Sequence, residues 1–407
     1  MNVRRSPAAL AVIAVFALTA GQASAASPSP SAALPAGLYG TADPTYDGVW
    51  RQSLALLAQN TVGVRPVSSA VDWLAGQQCA DGAFAPFRSD AGSPCDAKTL
   101  VDTNSTGAAV QALAALGGQD AVVGKAVAWL KSVQNADGGW GYAAGGASDA
   151  NSTSVVVGAL AAAGEKPGEV AKGGKSPYEL LLKLTLPCDS TDGGAFAYQP
   201  DKKGELAAND DATAAAVVGL LGKGLAGEDV KPSGAAPACE GSNDPGQVAR
   251  NGAAYLVQAL AKDGHLTSVL AGAEDQPDYG NTADAVLALA TAGQGEQAGD
   301  ALRWLEANSA PWAKQAGPAA YAQLILAANA ASADPRDFGG QDLVTLLNAT
   351  GPAPASVPAS ASPTPAAAKD SKDDDSGFGT LWTVGVFLVA GAGIGFLLSG
   401  RRKRQQL

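Results

Sequence analysis

The stretch "AVAWLKSVQNADGGWGY", residues 126–142, decides the fold. A Trp129-Leu130 pair leads to Gln134 and then to Gly138, Gly139 and Trp140, and "AVDWLAGQQCADGAF" at 70–84 repeats those intervals with Trp73, Leu74, Gln78, Gly82 and Phe84. Gln134 lies one helical turn beyond Leu130, the glycines let the chain reverse, and Trp140 returns to cover the turn. Weaker copies run through "YELLLKLTLPCDSTDGGAF" (178–196), "AAYLVQALAKDGHL" (253–266) and "ALRWLEANSAPW" (301–312).

A second kind of segment follows each copy. "DTNSTGAAVQALAALG" starts at Asp102, "DANSTSVVVGALAAAG" at Asp149, "DDATAAAVVGLLG" at Asp210 and "DYGNTADAVLALATAG" at Asp278. Aligning Val110, Val157, Val218 and Val286 puts the four aspartates in register. "AGPAAYAQLILAANAAS" (316–332) and "YDGVWRQSLALLAQN" (46–60) complete the set. The first kind keeps polar positions such as Lys125, Lys131 and Arg303, as a helix with one wet face does; the second is nearly all Ala, Val, Leu and Gly, as a helix buried all round would be.

Two helix types alternating at a regular interval describe hairpins stacked side by side, because one hairpin cannot bury its own apolar face. Inner helices are expected near 46–59, 104–116, 151–163, 211–222, 280–292 and 317–331, and outer ones near 66–78, 123–134, 176–186, 247–261, 297–308 and 338–349. Closing the array removes the exposed ends of an open solenoid. The expected fold is therefore all-α, a closed α6/α6 toroid over 41–350.

Trp129-Leu130, Gln134 and Gly138-Gly139-Trp140 resemble the Gln-Trp repeat of the prenyltransferase and squalene-hopene cyclase family, whose members fold as α/α toroids. The likeness covers about 45–350. It implies that Gln134 and Trp140, with Gln78 and Phe84 in the second copy, brace an outer helix against its neighbour. It also raises four functions, three chemical and one of binding alone. Class II cyclases use a D-x-D-D-(S/T)-A run to protonate their substrate; at 207–214, "AANDDATA", Asp210 takes the acid's place and Asp211 the next, but Ala208 and Ala212 break the pattern. Protein prenyltransferases need zinc ligands that His265, the single histidine, cannot complete. Thioester proteins of this architecture need a Gly-Cys-Gly-Glu-Gln run, which is absent. Secreted cobalamin carriers hold their ligand at the ring mouth without chemistry, using a β-rich lid that this chain lacks.

The chain ends suggest export and anchoring. Residues 1–25 read as a signal peptide, with Arg4-Arg5, a short apolar run and Ala23-Ser24-Ala25 for cleavage, and 26–40 as a linker. Residues 351–377 read as a Pro/Ala/Ser-rich, acidic stalk, and 378–400, uncharged and long enough to span, as a transmembrane helix. The basic tail 401–407 places the C-terminus in the cytoplasm and the toroid at the outer surface of the plasma membrane. The whole chain carries 27 basic and 38 acidic residues, so it is not built to grip a phosphate backbone, and nucleic acid is excluded as a partner. Four cysteines in an exported domain favour disulfides over metal: proximity pairs Cys79 with Cys95, leaving Cys188 with Cys239.

Asp102, Asp149, Asp210 and Asp278 each stand just before an inner helix, where Asp accepts orphan backbone N–H groups. Equivalent positions around a ring gather at one rim, so the same carboxylates are candidates for edging a ligand site. Phe84, Trp140 and Phe196 are expected to close the motif; Tyr142 and Tyr198, two residues on, are free to line a pocket. His265 is expected to be a solvated turn residue, and 225–245 a surface loop. The expected function is binding, without cofactor or catalysis, of a small, partly apolar molecule (cofactor- or isoprenoid-like) or a partner protein at the ring mouth. A cyclase-like or prenyltransferase-like enzyme using Asp210 as acid is the alternative, and a surface scaffold the third reading.

Overall fold

The computed structural model describes residues 35–234, 238–268 and 275–356. The expected signal, spanning helix and basic tail lie outside these residues, as does nearly all of the stalk. Among the described residues no helix is long and apolar enough to cross a membrane.

Six inner helices form a closed ring: α1 (Gly48–Thr61), α3 (Thr103–Leu116), α5 (Ala150–Ala162), α7 (Asp210–Leu220), α9 (Tyr279–Thr291) and α12 (Pro318–Ala330). Each packs on the next, and α12 packs back on α1. Outside them lie α2 (Ser68–Gly76), α4 (Asp120–Ser132), α6 (Pro177–Lys183), α8 (Pro245–Asp263), α10 (Gly299–Asn308) and α13 (Leu343–Asn348), with a short extra helix, α11 (Ala310–Ala316), that the sequence pattern does not announce. A two-stranded ribbon, β1 (Thr267–Ser268) with β2 (Gln276–Pro277), precedes α9. Both expected disulfides, Cys79–Cys95 and Cys188–Cys239, are formed.

The ring closes through contacts between the two ends of the described chain. Gly40 N–H donates to the Thr350 carbonyl at 2.8 Å, and Gln59 Nε2 donates to Asn348 at 2.6 Å and to the Tyr39 hydroxyl at 2.9 Å. Tyr39 is fully buried. The folded unit thus begins before residue 41, and Gly37-Leu38-Tyr39 is a further copy of the Gly-x-aromatic turn. Gly37, Gly82, Gly138 and Gly194 all have positive φ, and a Cβ on any of them would run into the backbone of the next outer helix or its N-cap.

The Gln-Trp spacing has a direct mechanical explanation. Gln134 Nε2 donates to the Gly138 carbonyl (2.8 Å), closing its own turn, and to the Val170 carbonyl (3.2 Å), tying that turn to the next hairpin. Gln78 does the same to Gly82 (3.1 Å) and Val122 (2.8 Å). Trp140 is fully buried, with its indole N–H donating to the Leu130 carbonyl at 2.7 Å, so a large apolar side chain seals the helix end without stranding its polar atom.

A second clasp joins each turn to the following inner helix. The backbone N–H groups of Phe84, Trp140, Phe196 and Leu266 donate to the hydroxyls of Thr106, Thr153, Thr213 and Thr282 at 2.9–3.0 Å. In return, the N–H groups of Asp102, Asp149, Asn209 and Asp278 donate to the carbonyls of the same four turn residues. The repeated unit is therefore an Asx residue with Thr four positions on. This corrects the register: Asn209, not Asp210, caps α7, its side chain accepting from Ala212 N–H at 2.7 Å. Asp210 is the first residue of the helix, equivalent to Thr103, Ala150 and Tyr279.

Candidate functional site

The inner helices are not buried all round, as their composition suggested. Each leaves a stripe facing the middle of the ring, and these stripes enclose a cavity of about 300 Å³. All six contribute. The apolar lining comes from Trp50 and Leu54 of α1, Val155 of α5, Leu287 of α9 and Leu326 of α12. Polar groups come from Asn104 of α3, Asn151 and Ser154 of α5, Asp211 of α7, Asp284 of α9 and Gln323 of α12.

The inner helices run parallel, so their N-termini share one rim and their C-termini the other. Asn104, Asn151 and Asp211 each stand two residues after a cap, at the N-terminal end of the lumen. The opposite end is floored by the segment after α7, where Gly224 and Leu225 enter the cavity lining. Leu225 N–H donates to Gln111 Oε1 of α3 (2.7 Å) and Glu228 N–H to the Thr291 hydroxyl of α9 (3.1 Å), so the segment bridges inner helices on different sides of the ring. The start of the stretch expected to be a surface loop is therefore a structural floor. Low complexity concealed it, because Gly-Leu-Ala-Gly carries no periodic signal.

Two carboxylates face the lumen. Asp211 accepts from Asn151 Nδ2 at 2.6 Å, which aims it across the N-terminal end. Burial raises its pKa, the Asn151 bond opposes that rise, and the neighbouring Asp278 and Asp149 add to it. Asp284 sits deeper, where burial pushes its carboxyl up to about 7; Gln323 opposes the shift and the charges of Asp211 and Asp278 reinforce it. Three other polar atoms of the lining, Asn104 Oδ1, Asn151 Oδ1 and Ser154 Oγ, are buried without a hydrogen-bond partner. Among the described residues, no Lys, Arg or His lines this cavity.

The rim aspartates do something else. Asp102 accepts from Ser105 N–H (2.6 Å) and the Ser105 hydroxyl (2.8 Å), Asp149 from Ser152 N–H (2.7 Å), and Asp278 from Asn281 N–H (3.0 Å). They are caps. Asp102 and Asp149 are almost fully buried, which raises their pKa values despite these bonds. Asp210 points away from the lumen and accepts the Tyr255 hydroxyl of α8 at 2.7 Å. Burial and that carboxylate push the Tyr255 phenol well above its usual range.

Tyr142 and Tyr198 are about half exposed and stand beside Asp102 and Asp149, outside the cavity lining. Their carbonyls accept from the first N–H groups of α3 and α5, Thr103 (2.9 Å) and Ala150 (3.0 Å). They cover helix N-termini rather than line a pocket. His265 is not a free turn residue: its ring lies tilted against Trp304 (4.2 Å between centroids), which stacks on Tyr279 (5.0 Å), which stacks on Trp312 (5.6 Å). No group of three metal-ligating side chains exists among the described residues.

Of the candidates expected from sequence, Asp211 alone lines the cavity. Asp284, Gln323 and Trp50 were not singled out. Each departs from its repeat: Asp284 corresponds to Ala108, Val155 and Ala215, so a carboxylate replaces small or apolar residues in an inner helix. That break is readable in the aligned copies whether they are aligned on Thr or on Val, since either places Asp284 opposite Ala108, Val155 and an alanine of α7.

No family model and no curated protein matches the chain. Among solved structures it is similar to ent-copalyl diphosphate synthase from Streptomyces platensis, with a TM-score of 0.46 and 15% identity over 70% of this chain and 50% of that one. It is also similar to a protein from Actinoplanes, with a TM-score of 0.46 and 17% identity over 72% of this chain and 92% of that one. The chain thus spans about half the length of the synthase. The closed ring itself, rather than either likeness, establishes the fold as an all-α toroid.

Proposed function

We propose that the protein binds a small, partly apolar molecule inside the ring, without catalysis, at the outer surface of the cell. The observation that carries this reading is the cavity. It is bounded by all six inner helices, floored by Leu225, and about 300 Å³ in volume, within the range of small-molecule sites. Its lining, apolar with a few convergent polar groups, is that of a binding site. Two disulfides support an oxidising compartment, in keeping with the export signal and membrane anchor read from the sequence.

The test is native mass spectrometry of the purified chain after incubation with cell extract. The expected spectrum shows one small molecule bound per chain, lost when Ala215→Trp fills the lumen. A spectrum without added mass, or one unchanged by Ala215→Trp in a folded variant, would overturn the reading.

One observation favours a second reading, acid catalysis of the cyclase type. Asp284, with its carboxyl pushed up to about 7, holds a proton in a largely apolar chamber near neutral pH. In this reading Asp284 takes the role that the motif comparison assigned to Asp210, whose carboxylate is engaged by Tyr255. Turnover of an isoprenoid substrate abolished by Asp284→Asn would support it.

A further inference from the structure

We infer that the ligand of this cavity carries a primary ammonium group on a short apolar body, with the ammonium held between Asp211 and Asp284 at the polar end of the lumen. This deepens the binding reading and rests on it. Four features converge.

The first is charge. Asp211 and Asp284 line one cavity of about 300 Å³, and no cationic side chain lines it with them. Among the described residues, Asp211 accepts one side-chain hydrogen bond, from the neutral amide Asn151, and the polar neighbour of Asp284 is the neutral amide Gln323, whose Nε2 donates to the Gly280 carbonyl. Two carboxylates sharing a small space without a counter-charge repel, and each raises the cost of ionising the other. A cation entering the lumen removes that cost.

The second is hydrogen-bond supply. Asn104 Oδ1 and Asn151 Oδ1 are buried acceptors with no donor, and Ser154, 6% exposed, lines the same cavity with its Oγ unpartnered. A buried polar atom left unpaired costs about 1–3 kcal/mol. With the carboxylates, the polar end is rich in acceptors and short of donors. An ammonium with three N–H donors matches this; a carboxylate or phosphate ligand, which brings only acceptors, does not.

The third is Trp50, which supplies the one aromatic ring of the lining. Its face attracts a cation, and its bulk serves the apolar body. The fourth weighs against an anion despite the helix N-termini at the rim. Each N-terminus carries about half a positive charge, but at four of the six inner helices Asp102, Asp149, Asn209 and Asp278 each already accept one of the leading N–H groups. The full charges of Asp211 and Asp284 therefore set the sign of the lumen.

The size of the cavity excludes a two-chain lipid and leaves a small free amine. The titratable groups that act on Asp284 are Asp211 of α7 and Asp278 at the start of its own helix; α12 presents neutral Gln323 and α1 neutral Trp50. Because Asp284 ionises near neutral pH, affinity for an amine rises as pH rises through about 7, and binding releases a proton.

The test is isothermal titration of the purified full-length chain with n-hexylammonium, 1-hexanol, hexanoate and hexyltrimethylammonium. The expected order places n-hexylammonium at least tenfold tighter than the other three, with affinity increasing from pH 6 to pH 8. Asp211→Asn and Asp284→Asn each weaken n-hexylammonium at least fivefold and leave 1-hexanol unchanged. Hexanol or hexanoate binding as tightly as the ammonium, with all probes lost on Ala215→Trp, would overturn the cation while leaving the ring as a binding chamber. No binding of n-hexylammonium, or binding indifferent to both Asn variants, would also overturn it, and the co-purifying molecule would then decide the broader reading alone.

Discussion

The turn clasps and the lumen are built by opposite rules. At the clasps the same residues recur copy after copy: an Asx cap, a Thr four positions on, a Gly-x-aromatic turn with Leu266 replacing the aromatic in one copy, and hydrogen bonds of nearly constant length between them. At the positions from which side chains reach the lumen in one copy or another, the copies disagree. Two residues past the cap stand Asn104, Asn151, Asp211 and Gly280; six past it stand Ala108, Val155, Ala215 and Asp284. Repetition is the mark of a mechanical part, because every hairpin must meet its neighbour in the same way. A site needs different groups at different points around a ligand, so it resides where the repeat is broken.

The largest effect that tests this contrast is in the frame. Trp140 is fully buried and seals the end of α4, so Trp140→Ala is expected to destabilise the fold by about 3–5 kcal/mol, measured by urea unfolding. A lumen residue of similar size, Trp50, is only partly buried, and Trp50→Ala is expected to cost clearly less. Equal losses would erase the distinction.

In the lumen the expected sign reverses. Asp284 has a folded-state pKa raised to about 7, so between about pH 4 and pH 7 the folded chain holds a proton that the unfolded chain has released. Stability from this group therefore falls as pH rises through that window. Asp284→Asn removes the charge and is expected to stabilise the protein at pH 8 by on the order of 2–4 kcal/mol, with little change at pH 3.5. A variant less stable than the native chain at pH 8 would mean that Asp284 is a frame residue after all. Gain of stability on removing a buried group is what a binding residue shows when its partner is absent.

Repetition also explains what could be read from the sequence. Alternating wet and apolar helices, the closed ring, both disulfides and the bracing by Gln134 and Trp140 follow from residues that recur or from pairings that proximity restricts. The site did not follow, because searching for recurrence selects caps: Asp102, Asp149 and Asp278 were the conspicuous aspartates and all three serve backbone N–H groups. Aligning on Val218 instead of Thr213 then drew Asp210 into the cap position and hid Asp211 behind it. The floor at Leu225 and the copy at Tyr39 escaped for a different reason. Both are short pieces that pack onto distant parts of the ring, and local periodicity holds no record of such contacts.

The clasp itself gives the next prediction. Thr213 accepts from Phe196 N–H (2.9 Å) and donates to the Asn209 carbonyl (2.7 Å). Thr213→Val keeps the shape, removes both bonds and strands a buried amide, at an expected cost of about 1–3 kcal/mol. The equivalent change at Thr282 is expected to cost the same within error, since its bonds are the same two. Widely different losses at the two positions would show that the clasps are not interchangeable parts.

The smallest expected effect bears most directly on the division between rim and lumen. Asp149 caps α5 through Ser152 N–H, and its second oxygen, Oδ2, is buried without a partner. Asn caps a helix about as well as Asp, so Asp149→Asn keeps the bond from Ser152 and removes a charge that burial penalises. The change in stability at pH 7 is expected to stay within about 1 kcal/mol. Because Asp149 is absent from the cavity lining, amine affinity is expected to change less than twofold, against at least fivefold for Asp211→Asn. Asp149 does act on Asp211 through its charge, raising the pKa there, so its removal eases ionisation of Asp211 but also takes away a distant attraction for the cation, and the two effects oppose each other. Binding weakened as much in Asp149→Asn as in Asp211→Asn would place the rim carboxylates within the site and dissolve the separation between parts that repeat and parts that do not.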